Sequence, residues 1–262
     1  MVKRVLSALI GIPILLLLTW LGGWYLALLI VVLALLGLRE FLNLGQKAGF
    51  NIRPRLTALF CILWLAIFLL QRTEWLLPLA VIWFVISFGN YGLNYPTVSF
   101  TDAAYSFLSI FYPVGLLTIL FFLRELPDGR AWCFFVFILV WITDSGAYFI
   151  GSAFGKRKLA PKVSPNKSIE GAIGGLLAAC CFGLIFWYLT KLGNPYALLL
   201  LSLMASVVSQ IGDLFESALK RTASLKDSGA IIPGHGGILD RFDSLLFAIP
   251  IVYAFLLLGM AG

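Results

Sequence analysis

The chain is poor in charge. Asp, Glu, Lys and Arg account for 12% of its 262 residues, where a soluble globular domain carries about 25%. So little polar surface cannot wrap a protein of this size in water. Histidine is nearly absent, with a single residue, and the four cysteines form no Cys-x-x-Cys pair. A structural zinc site needs a full set of such ligands at short spacings, so zinc chemistry is set aside. Cys61, Cys133, Cys180 and Cys181 all fall within apolar runs, where a free thiol behaves as a small hydrophobe. No internal repeat, low-complexity tract, Gly-X-Y period or charged heptad is present. Solenoids, disordered chains, collagens and coiled coils are thereby excluded.

What the chain does have is apolar length: 61% of residues are hydrophobic and the mean hydropathy is +1.00. An integral membrane protein remains. One helix crosses the hydrocarbon core with about 20 apolar residues. Nine such runs are read, over residues 5–21, 24–38, 57–70, 75–88, 103–123, 131–154, 171–190, 196–215 and 242–259. They are continuous, whereas barrel strands alternate in period two. The expected fold is therefore all-α, a polytopic membrane bundle of about nine transmembrane helices. The first four runs are short and closely spaced, so two of them are easily read as one hairpin. Lys3 and Arg4 give the first run the look of a signal peptide, but with eight runs behind it an anchor is expected. Residues 1–130 are read as a membrane scaffold with lipid or dimer contacts, and 131–262 as the catalytic region.

Orientation follows from the basic residues. With the N-terminus inside, only Arg72, Arg124, Arg130 and Lys191 of the 19 fall on outer segments. That bias predicts a multi-pass protein of the cell's inner (plasma) membrane, with its N-terminus and polar loops cytoplasmic. The net charge of +7 is then an inner-face charge, suited to anionic headgroups or nucleotides rather than nucleic acid. Trp24, Trp75 and Trp132 sit at run ends as interfacial anchors. Gly151-x-x-x-Gly155 and Gly171-x-x-x-Gly175 fit close helix packing, although the second also opens a helix beside a polar loop.

Two inner loops concentrate polar residues. The first, residues 155–170, carries five basic residues, two prolines, and Ser164, Asn166, Lys167 and Ser168 just before a helix. Helix-start N–H groups beside Lys167 suit a phosphate, while Ser168 equally suits a simple cap. Inner-leaflet anchoring accounts for the basic residues as well as nucleotide binding does. The second begins on a helix where Asp213, Glu216, Ser217 and Lys220 share one face. Arg221, Lys226 and Asp227 follow, then the turn Pro233-Gly234-His235-Gly236-Gly237, then Asp240, Arg241 and Asp243. Asp213 and Asp240 are placed to offer a hard cation such as Mg²⁺ the one or two carboxylates it takes besides phosphates and water. Spacing alone equally allows these acids to pair with Lys220, Arg221 and Arg241. Glycines flanking His235 let backbone N–H groups approach a polyphosphate.

Ser217-x-Leu219-Lys220-Arg221, four residues, Lys226-Asp227-x-Gly229, then Pro233-x-His235-Gly236-Gly237-Ile238-x-Asp240-Arg241-Phe242-Asp243 resembles the signature of the phosphatidate cytidylyltransferase, or CDP-diacylglycerol synthase, family. A second block is similar to that family too: Asp144-Ser145-Gly146-Ala147-Tyr148-Phe149, Gly155-Lys156, Lys158-Leu159-Ala160-Pro161, Ser164-Pro165-Asn166-Lys167-Ser168 and Glu170-Gly171. Both lie in the C-terminal half. The N-terminal half matches only as a hydrophobic bundle, and no functional residue is carried over from it.

The resemblance implies a reaction: CTP and phosphatidate give CDP-diacylglycerol and pyrophosphate, with Mg²⁺, a second cation being left open. CTP, phosphatidate and the bilayer are the partners implied, a homodimer is left open, and nucleic acid is not expected. The attacking phosphate oxygen is already ionised, since a phosphomonoester has a second pKa of about 6, so no strong base is needed. Asp213, Asp240, His235 and Lys226 form the catalytic set, with His235 as a phosphate hydrogen-bond donor. Asp213 and Asp240 are the metal ligands, with Asp243 as an alternate ligand or support. Asp144, Ser164, Asn166, Lys167, Ser217, Lys220, Arg221, Asp227, Gly236, Gly237 and Arg241 are the substrate-binding residues. Asp144, deep in the sixth run, is either a cytidine or metal contact or a partnered structural acid. A secondary transporter would show inverted repeats and midplane charges in both halves, and here only Asp144 is at the midplane. Another CTP-dependent lipid kinase or transferase is the nearer rival, while no Asp-Gly-x-x-Ala-Arg run of a CDP-alcohol phosphotransferase is present.

Overall fold

The computed structural model describes residues 2–232 and 236–260. The chain forms two compact units, Met1–Phe121 with Thr222–Asp240, and Phe122–Arg221 with Arg241–Gly262. His235, Pro233 and Gly234, on which part of the expected site rests, lie outside the described residues.

In the first unit α1 (Val2–Leu21) and α2 (Gly23–Lys47) are separate helices. They are parted at Gly22 and Gly23, whose φ values of 67° and 51° belong to the left-handed region that glycine enters without penalty. α3 (Pro54–Leu69) starts with proline in its first turn, where the missing N–H costs nothing. A 3₁₀ turn at Thr73–Trp75 leads into α4 (Leu76–Leu93). α5 (Phe100–Ile110) opens on a capping box: Ser99 Oγ accepts from Asp102 N, and the Asp102 carboxylate accepts from Ser99 N. A π turn at Phe111–Gly115 joins α5 to α6 (Leu116–Glu125). Pro113 lies within that turn, so the missing N–H is absorbed without ending the helical run. The unit's core includes Phe41 stacked on Tyr105, centroids 4.4 Å apart. The Tyr105 hydroxyl donates to the Phe41 carbonyl at 2.6 Å.

The second unit contains α7 (Gly129–Phe154), a ribbon of β1 (Lys158–Ala160) and β2 (Ser164–Ser168), α8 (Ile169–Thr190), and most of α9 (Pro195–Thr222) and α10 (Leu239–Leu257). The ribbon is antiparallel, pairing Lys158 with Ser168 and Ala160 with Ser164. It folds the first polar loop, whose residues show no strand period. α7 and α8 meet at backbone contact. A Cβ at Gly171 would lie 2.7 Å from the Ala147 carbonyl oxygen, and one at Gly175 2.8 Å from that of Thr143. Gly171 and Gly175 of the second small-xxx-small motif, with Gly151 of the first, therefore serve close helix packing, while Gly155 makes room for the Ser168 side chain. Ser168 Oγ also accepts from Gly171 N at 3.1 Å, capping α8.

Each of the nine expected apolar runs is helical, and the fold is an all-α polytopic bundle. Among the described residues six helical stretches are long and apolar enough to cross a membrane, including Gly23–Lys47, Phe100–Glu125 and Pro195–Thr222, while Leu9–Leu21 and Pro54–Leu69 are shorter. Several helices outrun their apolar windows. α2 continues to Lys47 and α9 to Thr222, carrying polar residues on rigid ends.

Candidate active site

In the second unit a cavity of about 430 Å³ opens where α7, β2, α8 and α9 come together. α7 contributes Asp144, Tyr148, Gly151 and Ser152; β2 contributes Asn166, Lys167 and Ser168; α9 contributes Gln210 and Asp213. Four residues expected to contact substrate or metal, Asp144, Asn166, Lys167 and Asp213, therefore share one wall system. Gly151 and Gly171 keep α7 and α8 close at its floor: a Cβ on Gly151 would lie 3.3 Å from Gly171 Cα.

Asp213 does not pair with Lys220, Arg221 or Arg241. Its Oδ2 forms an ion pair with Lys167 Nζ, and its Oδ1 accepts from Ser217 Oγ at 3.3 Å. Lys220 instead pairs with Glu216 one turn back, and the Glu216 side chain is fully buried. Arg221 donates through Nε to the Val163 carbonyl at 3.3 Å, tying the end of α9 to the ribbon turn that precedes Ser164. Asp243 accepts from Ser244 N and is close enough to Asp213 and Asp144 for their charges to interact. The Glu170 carboxylate accepts from Lys156 N and Arg157 N, closing the base of the ribbon.

The signature loop belongs to the first unit. Asp240 Oδ2 accepts from Gly237 N at 2.7 Å, Ser228 N at 2.9 Å and Ser228 Oγ at 3.0 Å. Glu40, near the polar end of α2 and 2% exposed, takes up the other side. It accepts from Ile238 N at 2.9 Å, Leu239 N at 3.0 Å and Ser228 Oγ at 3.0 Å. The Ser228 hydroxyl has one proton for two carboxylates, so backbone N–H groups carry the rest of the load. Here the glycines of the motif acquire a reason. A Cβ at Gly229 would lie 2.6 Å from Glu40 Oε1, one at Gly236 2.5 Å from Asp240 Oδ2, and one at Gly237 would overlap Glu40 Oε2 and Ser228 Oγ. Gly236 also has φ +82°, closing the bridge between Ile232 and Gly236. These glycines make room for acids of the chain itself. Lys226, Asp227 and Arg241 are exposed.

Among the described residues no group of three His, Cys, Asp or Glu forms a ready-made metal cage. Asp213 belongs to the second unit and Asp240 to the first. Both present the hard oxygen donors that Mg²⁺ takes in ones and twos, completing its shell with water and phosphate. The donors fixing Asp240 are the kind of support that orients a ligating carboxylate.

Two polar residues of the cavity, Ser152 and Gln210, escape the sequence reading, and Tyr148 stands in it only as a motif position without a role. Gln210 stands one helical turn before Asp213, a polar side chain recurring on one face of an otherwise apolar run, and that periodicity could have found it. Glu40 was missed because the apolar window ends at residue 38 and the next segment reads as loop.

A model of the cytidylyltransferase family matches residues 2–258. The chain is 39% identical over 257 residues to a protein of Staphylococcus epidermidis named phosphatidate cytidylyltransferase, covering 95% of this chain and 96% of that one. Proteins of the same name from Staphylococcus haemolyticus and Staphylococcus aureus are 37% and 36% identical, again over 95% of this chain and 96% of theirs.

Proposed function

The chain belongs to the cytidylyltransferase family, and we propose that it transfers the cytidylyl group of CTP to phosphatidate, yielding CDP-diacylglycerol and pyrophosphate. The protein is a membrane-bound nucleotidyltransferase. The observation that carries the reading at the site is the single cavity in which Asp144, Asn166, Lys167 and Asp213 meet, all of them positions of the sequence blocks that suggested this chemistry or of the helix leading into them.

A phosphate oxygen of phosphatidate attacks the α-phosphorus of CTP, and the bond from that phosphorus to the oxygen bridging to the β-phosphate breaks. No proton must be removed from the nucleophile at neutral pH. The task is to bring two polyanions into line and to neutralise the departing charge. Lys167 supplies a cation inside the cavity, and Lys220, Arg221 and Lys226 supply more at the end of α9 and in the signature loop. Asn166 and Gln210 offer neutral hydrogen bonds, and Tyr148, 70% exposed at the cavity, offers a ring face to the base. His235 serves as a hydrogen-bond donor to a phosphate oxygen. Asp213 and Asp240 are the carboxylates assigned to Mg²⁺, with Asp243 as alternate. When bound, the cation supplies charge neutralisation on α- and β-phosphate oxygens.

The active face is assigned to the cytoplasmic side of the plasma membrane, because fifteen of the 19 basic residues fall on segments of that side and CTP is cytosolic. The test is turnover of CTP by detergent-solubilised protein against a panel of lipid acceptors, with and without Mg²⁺. Phosphatidate should be the acceptor used and chelation should abolish turnover. Equal turnover with diacylglycerol or a polyprenol would reject the assignment.

A further inference from the structure

Among its described residues the signature loop between α9 and α10 carries almost no regular structure, yet its closing end is held by a side chain from far upstream as well as by Asp240. Glu40 is a buried acid on α2: Ile238 N and Leu239 N donate one to each of its oxygens, and the Ser228 hydroxyl is shared between it and Asp240. Gly229 and Gly237 are shaped around it: a Cβ at either would press on the Glu40 carboxylate. An acid so buried is tolerable only when its oxygens are filled by donors. The same donors would be orphaned if the acid were absent.

We propose that Glu40 is a positioning residue for cytidylyl transfer: from the N-terminal helices it clamps the loop so that Lys226, Asp227 and Asp240 hold one arrangement. The proposal rests on the reading of this loop as the part that handles CTP. Gln at position 40 keeps the size but turns one acceptor oxygen into an NH₂ group. The Ser228 hydroxyl can rotate to meet it, whereas the N–H of Ile238 or Leu239 cannot. One buried backbone donor must then lose its partner. Asp retains both oxygens but is one methylene too short to reach every donor.

The experiment compares full-length Glu40→Gln, Glu40→Asp and Glu40→Ala with Glu74→Gln, which removes an exposed acid paired with Arg72. Steady-state kinetics in both substrates and hydrogen–deuterium exchange are measured on each. Glu40→Gln should lower kcat/KM for CTP about tenfold, the worth of one lost buried partner, with KM for phosphatidate unchanged. Glu40→Ala should lose more and Glu40→Asp should fall between parent and Ala. Exchange should quicken over residues 225–239 and stay unchanged within Gly129–Phe154. Parental kinetics and loop exchange in Glu40→Gln would overturn the proposal. So would exchange quickened equally in both segments, which is the mark of general destabilisation. If Glu40→Ala does not fold, the isosteric Gln variant decides. If the parent chain itself fails to turn over CTP with phosphatidate, the functional reading of the loop fails, and the exchange comparison still decides whether Glu40 holds it.

Discussion

Adding one methyl group at Gly237 tests how tightly the signature loop is closed. The new carbon would overlap Ser228 Oγ and Glu40 Oε2 and stand 2.5 Å from Glu40 Cδ. Carbon atoms in contact rest about 3.5–4.0 Å apart, so Glu40 or the loop must shift by about an ångström. Glu40 cannot shift without loosening Ile238 N and Leu239 N, and a buried donor left without a partner costs about 1–3 kcal/mol. Loss of both gives at least about 2 kcal/mol, or roughly a thirtyfold fall in the population of the closed loop. CTP-dependent turnover of Gly237→Ala in detergent should fall by at least that factor. Gly89→Ala is the companion variant, because a Cβ there has no atom within 4 Å and activity should be unaffected. If Gly237→Ala turned over as fast as Gly89→Ala, the crowding of Glu40 and Ser228 around this position would not describe the working protein.

Arg221→Ala should raise the apparent KM for CTP more than that for phosphatidate, by a charge-assisted contact of about 1.5–3 kcal/mol; an unchanged CTP dependence refutes the assignment. Asp213→Asn should move the Mg²⁺ titration to higher concentration and slow turnover, and an unmoved titration would reduce Asp213 to the ion-pair partner of Lys167. Ser168→Ala removes the α8 cap, worth about 1 kcal/mol, and should lower Tm by about 2–4 °C in a chain of this size; an unshifted Tm argues against the cap. Single cysteines at Ser164 and Ala230 should both be labelled from the cytoplasmic side. Ala230 is preferred to Ser228 because it is exposed while Ser228 is buried, and labelling from opposite sides would break the assigned topology.

Much of the bundle is legible from apolar length alone, since every run expected to be helical is helical. The separation of α1 from α2 rests on two adjacent glycines that the sequence displays openly. The helix ends are less legible. Hydropathy stops at residue 38 in α2, but the backbone hydrogen-bond ladder does not, and it carries Glu40 onward as a rigid, buried acid. The meeting of Asp144, Asn166, Lys167 and Asp213 could be guessed from motif membership. The partner of Asp213 could not, because Lys167 is 46 residues away in sequence and local spacing proposes Lys220 first. From sequence the glycines of the signature read as an opening for phosphate, since sequence cannot tell a ligand from an upstream carboxylate that needs the same space.

The fate of isotopic label in CTP tests the transfer most directly. The purified protein is given phosphatidate, Mg²⁺ and CTP labelled in either the α- or the γ-phosphate, and lipid and aqueous phases are separated. Cytidylyl transfer predicts that α-label enters the lipid as CDP-diacylglycerol while γ-label leaves in pyrophosphate. Label from the γ-position in the lipid, with the α-label staying in water, would make the protein a CTP-dependent kinase and contradict the account.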